Sequence, residues 1–333
     1  TVTSGNQHFA SDANGCLYSK DMKELYSVPS ALNPAGGTYN VNESVENIYY
    51  SAFHQVAGLR KLVLPKDLKY IEIGFPTITP TDDLEEFELP TGGNSNYKVI
   101  NGVLCKDTEL LAYPRAKTDK DYKVPDGITS IAARAIDKCK FMETIDLNKV
   151  TKLNNTSIYG ALKLKTITLP KDLEKDNVVG AIASCEYIEE YKAPAGGCVN
   201  FDVTDGIVYS KDKSVLYFFP PQKSVSNGKY TVTSSVKTIA KYAFAGCSTI
   251  TELTIPTNVE KLEESAFNNV YNMTKLSFDE MSKVTTIDKS AFGWCQKLQQ
   301  ATLPSSLTEI GNIFTSCEKL EIINIPNNSK LKT

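Results

Sequence analysis

The sequence predicts an α/β repeat fold: a solenoid of stacked coils, strand-rich, with short helical turns and inserted β-hairpins. Three observations predict it. One apolar ruler recurs along the chain, its copies are almost evenly spaced, and three inserts between blocks of copies match one another.

The ruler is clearest in "AKYAFAGCSTITELTIP". Ile239 lies five residues before Phe244, and Cys247, Ile250, Leu253, Ile255 and Pro256 lie three, six, nine, eleven and twelve after it. On Phe292 the same ruler reads Ile287, Cys295, Leu298, Ala301, Leu303 and Pro304; on Phe53 it reads Ile48, Val56, Leu59, Leu62, Leu64 and Pro65. Phe267, Phe314, Ile136, Ile158 and Ile182 anchor further copies, and Ile78 anchors the poorest, carried mainly by Leu84, Phe87, Leu89 and Pro90. A unit this small buries little alone, so nine of them imply stacking around one continuous core.

Within each unit, L-x-x-L-x-L-P reads as a short parallel strand, and the Pro ends its ladder because it has no N–H to donate. The preceding A-F-x-x-C stretch is too short for an independent helix and is expected to form a tight turn or one helical turn. Uninterrupted units stand 22 to 25 residues apart, inside the leucine-rich-repeat range, which makes the expected fold a right-handed leucine-rich-repeat solenoid.

The inserts come next. "NGCLYSKDMKELYSVP" from Asn14 and "DGIVYSKDKSVLYFFP" from Asp205 align without a gap, and "NGVLCKDTELLAYP" from Asn101 is two residues shorter. Alternating apolar residues on either side of a Lys-Asp centre predict β-hairpins. After each, Tyr39, Tyr122 and Tyr230 stand fourteen residues before Phe53, Ile136 and Phe244. The chain is thereby expected to be a single elongated solenoid, 1–333, in three modules: 1–96 with two repeats, 97–200 with three and 201–333 with four.

The frame I-x-x-x-A-F-x-x-C-x-x-L-x-x-L-x-L-P, with D-G-x-x-Y-x-K-D hairpins between blocks, resembles the BspA-like leucine-rich-repeat family over nearly the whole chain. The resemblance implies a bacterial cell-surface or secreted protein that binds or adheres to other macromolecules. It implies no catalytic residues.

The composition excludes other classes of protein. A net charge of −3 and a pI near 5.6 provide no basic field for nucleic acid. No apolar run approaches the ~20 residues of a membrane span, and no signal peptide is visible at the amino terminus. The expected partner is an extracellular protein or a glycan, and the chain is expected to be a monomer without cofactor or metal.

Candidate chemistry is sparse. Cys139, Cys185, Cys247, Cys295 and Cys317 share one repeat position with Val56, Ala161 and Val270, so each is expected to be a reduced core residue behaving as a small hydrophobe. No C-x-x-C pair occurs, and neither His8 nor His54 has a Ser or Cys partner set by a motif. The candidate ligand-binding surface is the outward side of the strands, positions eight and ten after each anchor, which includes Glu86, Glu88, Asp146, Thr166 and Thr168. Glu143 extends its acidic part, and Trp294 is an aromatic where other copies carry Gly246, Gln55 and Asn269. The expected function is non-enzymatic adhesion or protein binding through this surface; the alternative is a glycan-binding or nutrient-capture module, with hairpin tyrosines Tyr18, Tyr26, Tyr209 and Tyr217 as its aromatic platform.

Overall fold

A computed structural model describes residues 1–49, 51–72, 81–176 and 178–332. They form two compact units, one of residues Thr1–Met142 and Lys149–Lys163, the other of Glu143–Asn148 and Leu164–Thr333. The anchor Ile78 lies outside the described residues.

Both units are stacks of β-coils. In the first, the strands Thr38–Asn40, Lys61–Val63 and Glu86–Glu88 pair in parallel, with Tyr39, Leu62 and Phe87 in one register and all buried. In the second, Thr144–Asp146, Thr166–Thr168 and Glu190–Lys192 form one parallel ladder. Lys229–Thr231, Glu252–Ile255, Lys275–Phe278, Gln300–Thr302 and Ile322–Asn324 form another. Like positions of the ruler pair with like positions, so the central Leu or Ile of each strand meets its counterpart inside the coil. Five residues before Phe53, Ile136, Ile158, Phe244, Phe267 and Phe292, an Ile or Leu lies in a second, two-residue strand, as in the ladder of Thr238–Ile239, Lys261–Leu262 and Thr286–Ile287.

Almost no helix is present. Among the described residues the helical elements are two 3-10 turns, Ala35–Gly37 and Ser226–Gly228, so the fold is a β-solenoid rather than α/β. The reason lies around the anchors. Two residues before and two after seven of the anchors, the backbone is left-handed: Ser51 and Gln55, Arg134 and Lys138, Thr156 and Gly160, Gly180 and Ser184, Tyr242 and Gly246, Ser265 and Asn269, Ser290 and Trp294. Left-handed residues cannot continue a right-handed helix. The freed anchor N–H bonds the neighbouring coil instead, Phe244 to the Ala266 carbonyl at 2.8 Å and Phe267 to that of Ala291 at 2.7 Å.

Core packing follows the anchor type. Phe219, Phe244, Phe267 and Phe292 stack as a column with centroids 4.6, 4.8 and 4.9 Å apart, and Phe314 continues it at 5.8 Å, half-buried. Where the anchor is Ile, the same segment pairs as a short parallel strand, Ile136 opposite Ile158. β-branched residues favour that extended geometry.

Each insert proves to be a three-stranded meander rather than a two-stranded hairpin. The first comprises Phe9–Ser11, Leu17–Ser19 and Glu24–Ser27. Lys98–Ile100, Val103–Lys106 and Glu109–Ala112 make the second, and Phe201–Thr204, Ile207–Ser210 and Val215–Phe218 the third. Every third strand then pairs in parallel with the first short strand of the following coil: Leu25 with Ile48, Leu110 with Ile131, Leu216 with Ile239. The meander's last strand therefore extends the short-strand ladder, and its edge is not left open.

Candidate binding surface

The cysteines are packing residues. None of the eight is in a disulfide, and those at the shared repeat position are buried, except Cys317, which is half-buried. Burial pushes the Cys247 thiol well up and that of Cys105 to about 12, so neither carries an appreciable thiolate at neutral pH. Cys295 and Cys317 lie against the anchor carbonyls of the coil before, Sγ to Phe267 O at 3.2 Å and to Phe292 O at 3.1 Å. Among the described residues no group of three or more His, Cys, Asp or Glu converges to hold a metal.

Three of the four predicted acids have lysine partners. Glu86 and Glu88 both reach Lys61, at 2.6 and 2.8 Å, and these hydrogen bonds raise the Lys61 pKa. Glu143 meets Lys165 at 3.3 Å, and Asp146 accepts the Asn148 N–H at 2.8 Å. Thr144 pairs with Thr166 and Asp146 with Thr168 on adjacent coils, which places the threonines beside the acids of the same unit. Two lysines thus offset half the charge of the four acids, and surface pairs of this kind contribute little to stability.

Further along the second unit the outward strand face alternates. Lys229, Glu252, Lys275 and Gln300 occupy one register, and Thr231, Thr254 and Ser277 the other. Trp294 is not on this face. It sits in the turn after Phe292 with φ 61° and remains 51% exposed.

Two features escaped the sequence reading. Arg115, 6% exposed, ties Asp82 (Nη1 to Oδ1, 2.7 Å) to the buried Asp137, which Arg134 also holds at 3.0 Å. It forms a wall of a groove of about 430 Å³ with His54, Gln55, Lys138, Lys140 and Leu162. The second is an aromatic strip. Tyr18 and Tyr209 are buried and cannot serve as a platform, but Tyr26 is joined by Phe9, Tyr49 and Tyr70 in a row of ring contacts 5.6 to 6.2 Å apart. Their scattered positions in the chain hide this row from spacing arguments.

Parallel ladders of leucine-periodic coils, filled by an aromatic and aliphatic column, define a leucine-rich-repeat solenoid. The chain belongs to the BspA type leucine rich repeat family, whose pattern matches six copies over residues 37–96, 116–197 and 221–333. Those stretches contain every anchor and omit the three meanders. The fold is similar to that of a leucine rich cell surface protein from Faecalibacterium prausnitzii A2-165, at 16% identity, TM-score 0.57, covering 100% of this chain and 98% of that one. It is also similar to the pneumococcal vaccine antigen PcpA, at 15% identity and TM-score 0.53, covering 98% and 88%. At such identities the likeness concerns the fold alone. No curated protein sequence matches the chain.

Proposed function

We propose that the chain is a non-enzymatic binding protein, displayed on a bacterial surface or secreted, that adheres to a host or neighbouring macromolecule through the outward faces of its coils. Membership of the BspA type repeat family carries this reading. It is supported by the similar folds, one belonging to a cell surface protein and the other to a vaccine antigen. The residues proposed to contact the partner are Glu86, Glu88, Glu143, Asp146, Thr166, Thr168 and Trp294. Because two lysines offset half the charge of these acids, the segment contributes orientation and hydrogen bonding together with a reduced long-range attraction for a basic partner. A second reading, glycan binding, is favoured by the aromatic strip.

An array of extracellular-matrix proteins and glycans probed with the purified chain tests the proposal. Retained binding of at least one macromolecule, weakened when Glu86, Glu88 and Glu143 become Gln and Asp146 becomes Asn, is the expected result. Chemical turnover of an array component, or no binding to any, would overturn it.

A further inference from the structure

The first unit has a second outward surface, on the sheet of the short strands. Side chains alternate along a strand, so the buried Leu25, Ile48 and Ile71 put Glu24 and Tyr26, Asn47 and Tyr49, and Tyr70 and Glu72 outside. Tyr26 and Tyr49 stack with centroids 5.6 Å apart and planes 16° apart. Phe9 packs edge-on to Tyr26 at 5.8 Å, and Tyr70 leans toward Tyr49 at 6.2 Å, tilted by 56°. Phe9 and Tyr70, the two ends of the row, are 41% and 47% exposed.

The fold does not require Tyr49 and Tyr70, whereas the edge-on pair of Phe9 and Tyr26 recurs in the third insert as Phe201 and Tyr217 at 5.4 Å. At the position of Tyr49, the residue after the inward Ile, the other modules carry Ala132 and Ala240; at that of Tyr70 they carry Lys152 and Lys261. Small or charged residues serve at these two positions elsewhere in the chain, so Tyr49 and Tyr70 are an addition to the scaffold that extends the edge-on pair into a row. Scattered exposed rings such as Trp294 and Tyr187 are single, whereas here four rings adjoin one another, and a contiguous exposed aromatic area marks an interaction site.

The surroundings select the occupant. The Tyr26 hydroxyl donates to Glu24, and that of Tyr49 donates to the same carboxylate at 3.2 Å, which fixes both rings before any ligand arrives. Lys23 and Lys69 are both bound to Glu46, so the cations beside the strip are occupied and offer little to an anionic ligand. The strip lies on a sheet face whose backbone bonds are internal, which removes strand addition as a mode of peptide capture. What remains is a ligand with apolar flat faces and hydrogen-bonding edges that can lie across several rings in succession.

We propose that Phe9, Tyr26, Tyr49 and Tyr70 form a carbohydrate-binding platform for a neutral, unbranched oligosaccharide, whose pyranose C–H faces lie on the rings and whose hydroxyls reach Glu24, Asn47 and Glu72. This deepens the surface-binding reading and rests on it. The test is calorimetric titration of the full chain with neutral hexasaccharides of β-1,4-linked glucose, mannose and N-acetylglucosamine and of α-1,4-linked glucose, with a proline decapeptide alongside. The double variant Tyr49→Ala, Tyr70→Lys takes the residues of the other modules and is expected to keep its thermal midpoint. One hexasaccharide should bind, and the variant should lose about tenfold or more in affinity, equivalent to about 1.4 kcal/mol. Absence of binding by every hexasaccharide, equal binding by variant and parent, or binding of the proline peptide in place of sugars would each overturn the platform. Failure here with continued capture of an array protein would leave the adhesion reading standing.

Discussion

Phe267 and Phe292 stack with centroids 4.9 Å apart and planes only 8° from parallel, although they belong to different repeats. Both are fully buried. The contact is the repeat ruler turned into three dimensions: residues at one ruler position meet across the coils.

Truncating that column should therefore cost as a core cavity does. Phe267→Ala is expected to lose about 3–5 kcal/mol in denaturant unfolding. Phe267→Ile should lose much less than Phe267→Ala, because Ile136 and Ile158 fill the same position in other coils. Equal losses for the two variants would show that the site does not sense volume.

The strands and their outward residues were legible because period-two apolar alternation, Leu62 and Leu64 or Leu253 and Ile255, recurs even where Asn148 and Asp279 stand in place of the Pro. The left-handed turns on either side of the anchors were not. Their usual signature is Gly or Asn, yet Ser51, Arg134, Thr156, Tyr242 and Gln55 occupy them here, held by the hydrogen bonds of the stack rather than by intrinsic preference. The meanders were half legible: the Lys-Asp turn announced two strands, whereas Phe9 and Phe201 belong to a third whose partner lies across the sheet. Of the candidate surface, the acids were found but their lysines were not, because Lys61 and Glu86 meet only once the coils are stacked. Arg115 gave no signal at all, since its two aspartates, Asp82 and Asp137, lie in other coils.

Arg115 is expected to be structural. Asp137 is 1% exposed, and removing the guanidinium leaves it with Arg134 on one oxygen. Arg115→Met should cost about 3 kcal/mol, the lower part of the range for breaking a buried pair. The loss should persist at high salt, because buried pairs are screened little. Denaturant unfolding in low and high salt checks both statements, and a loss that vanishes with salt would mark the pair as superficial.

Trp294 occupies a left-handed position that Gly246 and Asn269 fill in neighbouring repeats. A bulky residue there bears roughly 1–2 kcal/mol of backbone strain, which its half-exposed ring offsets only in part. Trp294→Asn is accordingly expected to stay within about 1 kcal/mol of the parent. If the midpoint instead falls as far as it does for Phe267→Ala, the ring is a core element and leaves the candidate surface.

The Lys-Asp centre of the third insert has a pH signature. Asp212 accepts hydrogen bonds from Ser210 Oγ at 2.6 Å, Ser214 N at 3.1 Å and Ser214 Oγ at 2.8 Å. Together they hold its carboxyl down to about 2, against an ordinary 3.8. A carboxyl whose folded pKa is depressed stabilises the fold above its unfolded pKa, and that contribution disappears as pH falls through the folded value. Asp212 is fully exposed, so the effect is local to the turn that joins Ile207–Ser210 to Val215–Phe218. Asp212→Asn should accordingly lower the thermal midpoint relative to the parent at about pH 5, with the difference narrowing from pH 3.8 downward and closing near pH 2. Because other depressed carboxyls, Asp21 and Asp202 among them, titrate in both proteins, the difference curve isolates Asp212. A difference that stays constant across that window would mean the turn depends on the shape of the side chain and not on its charge.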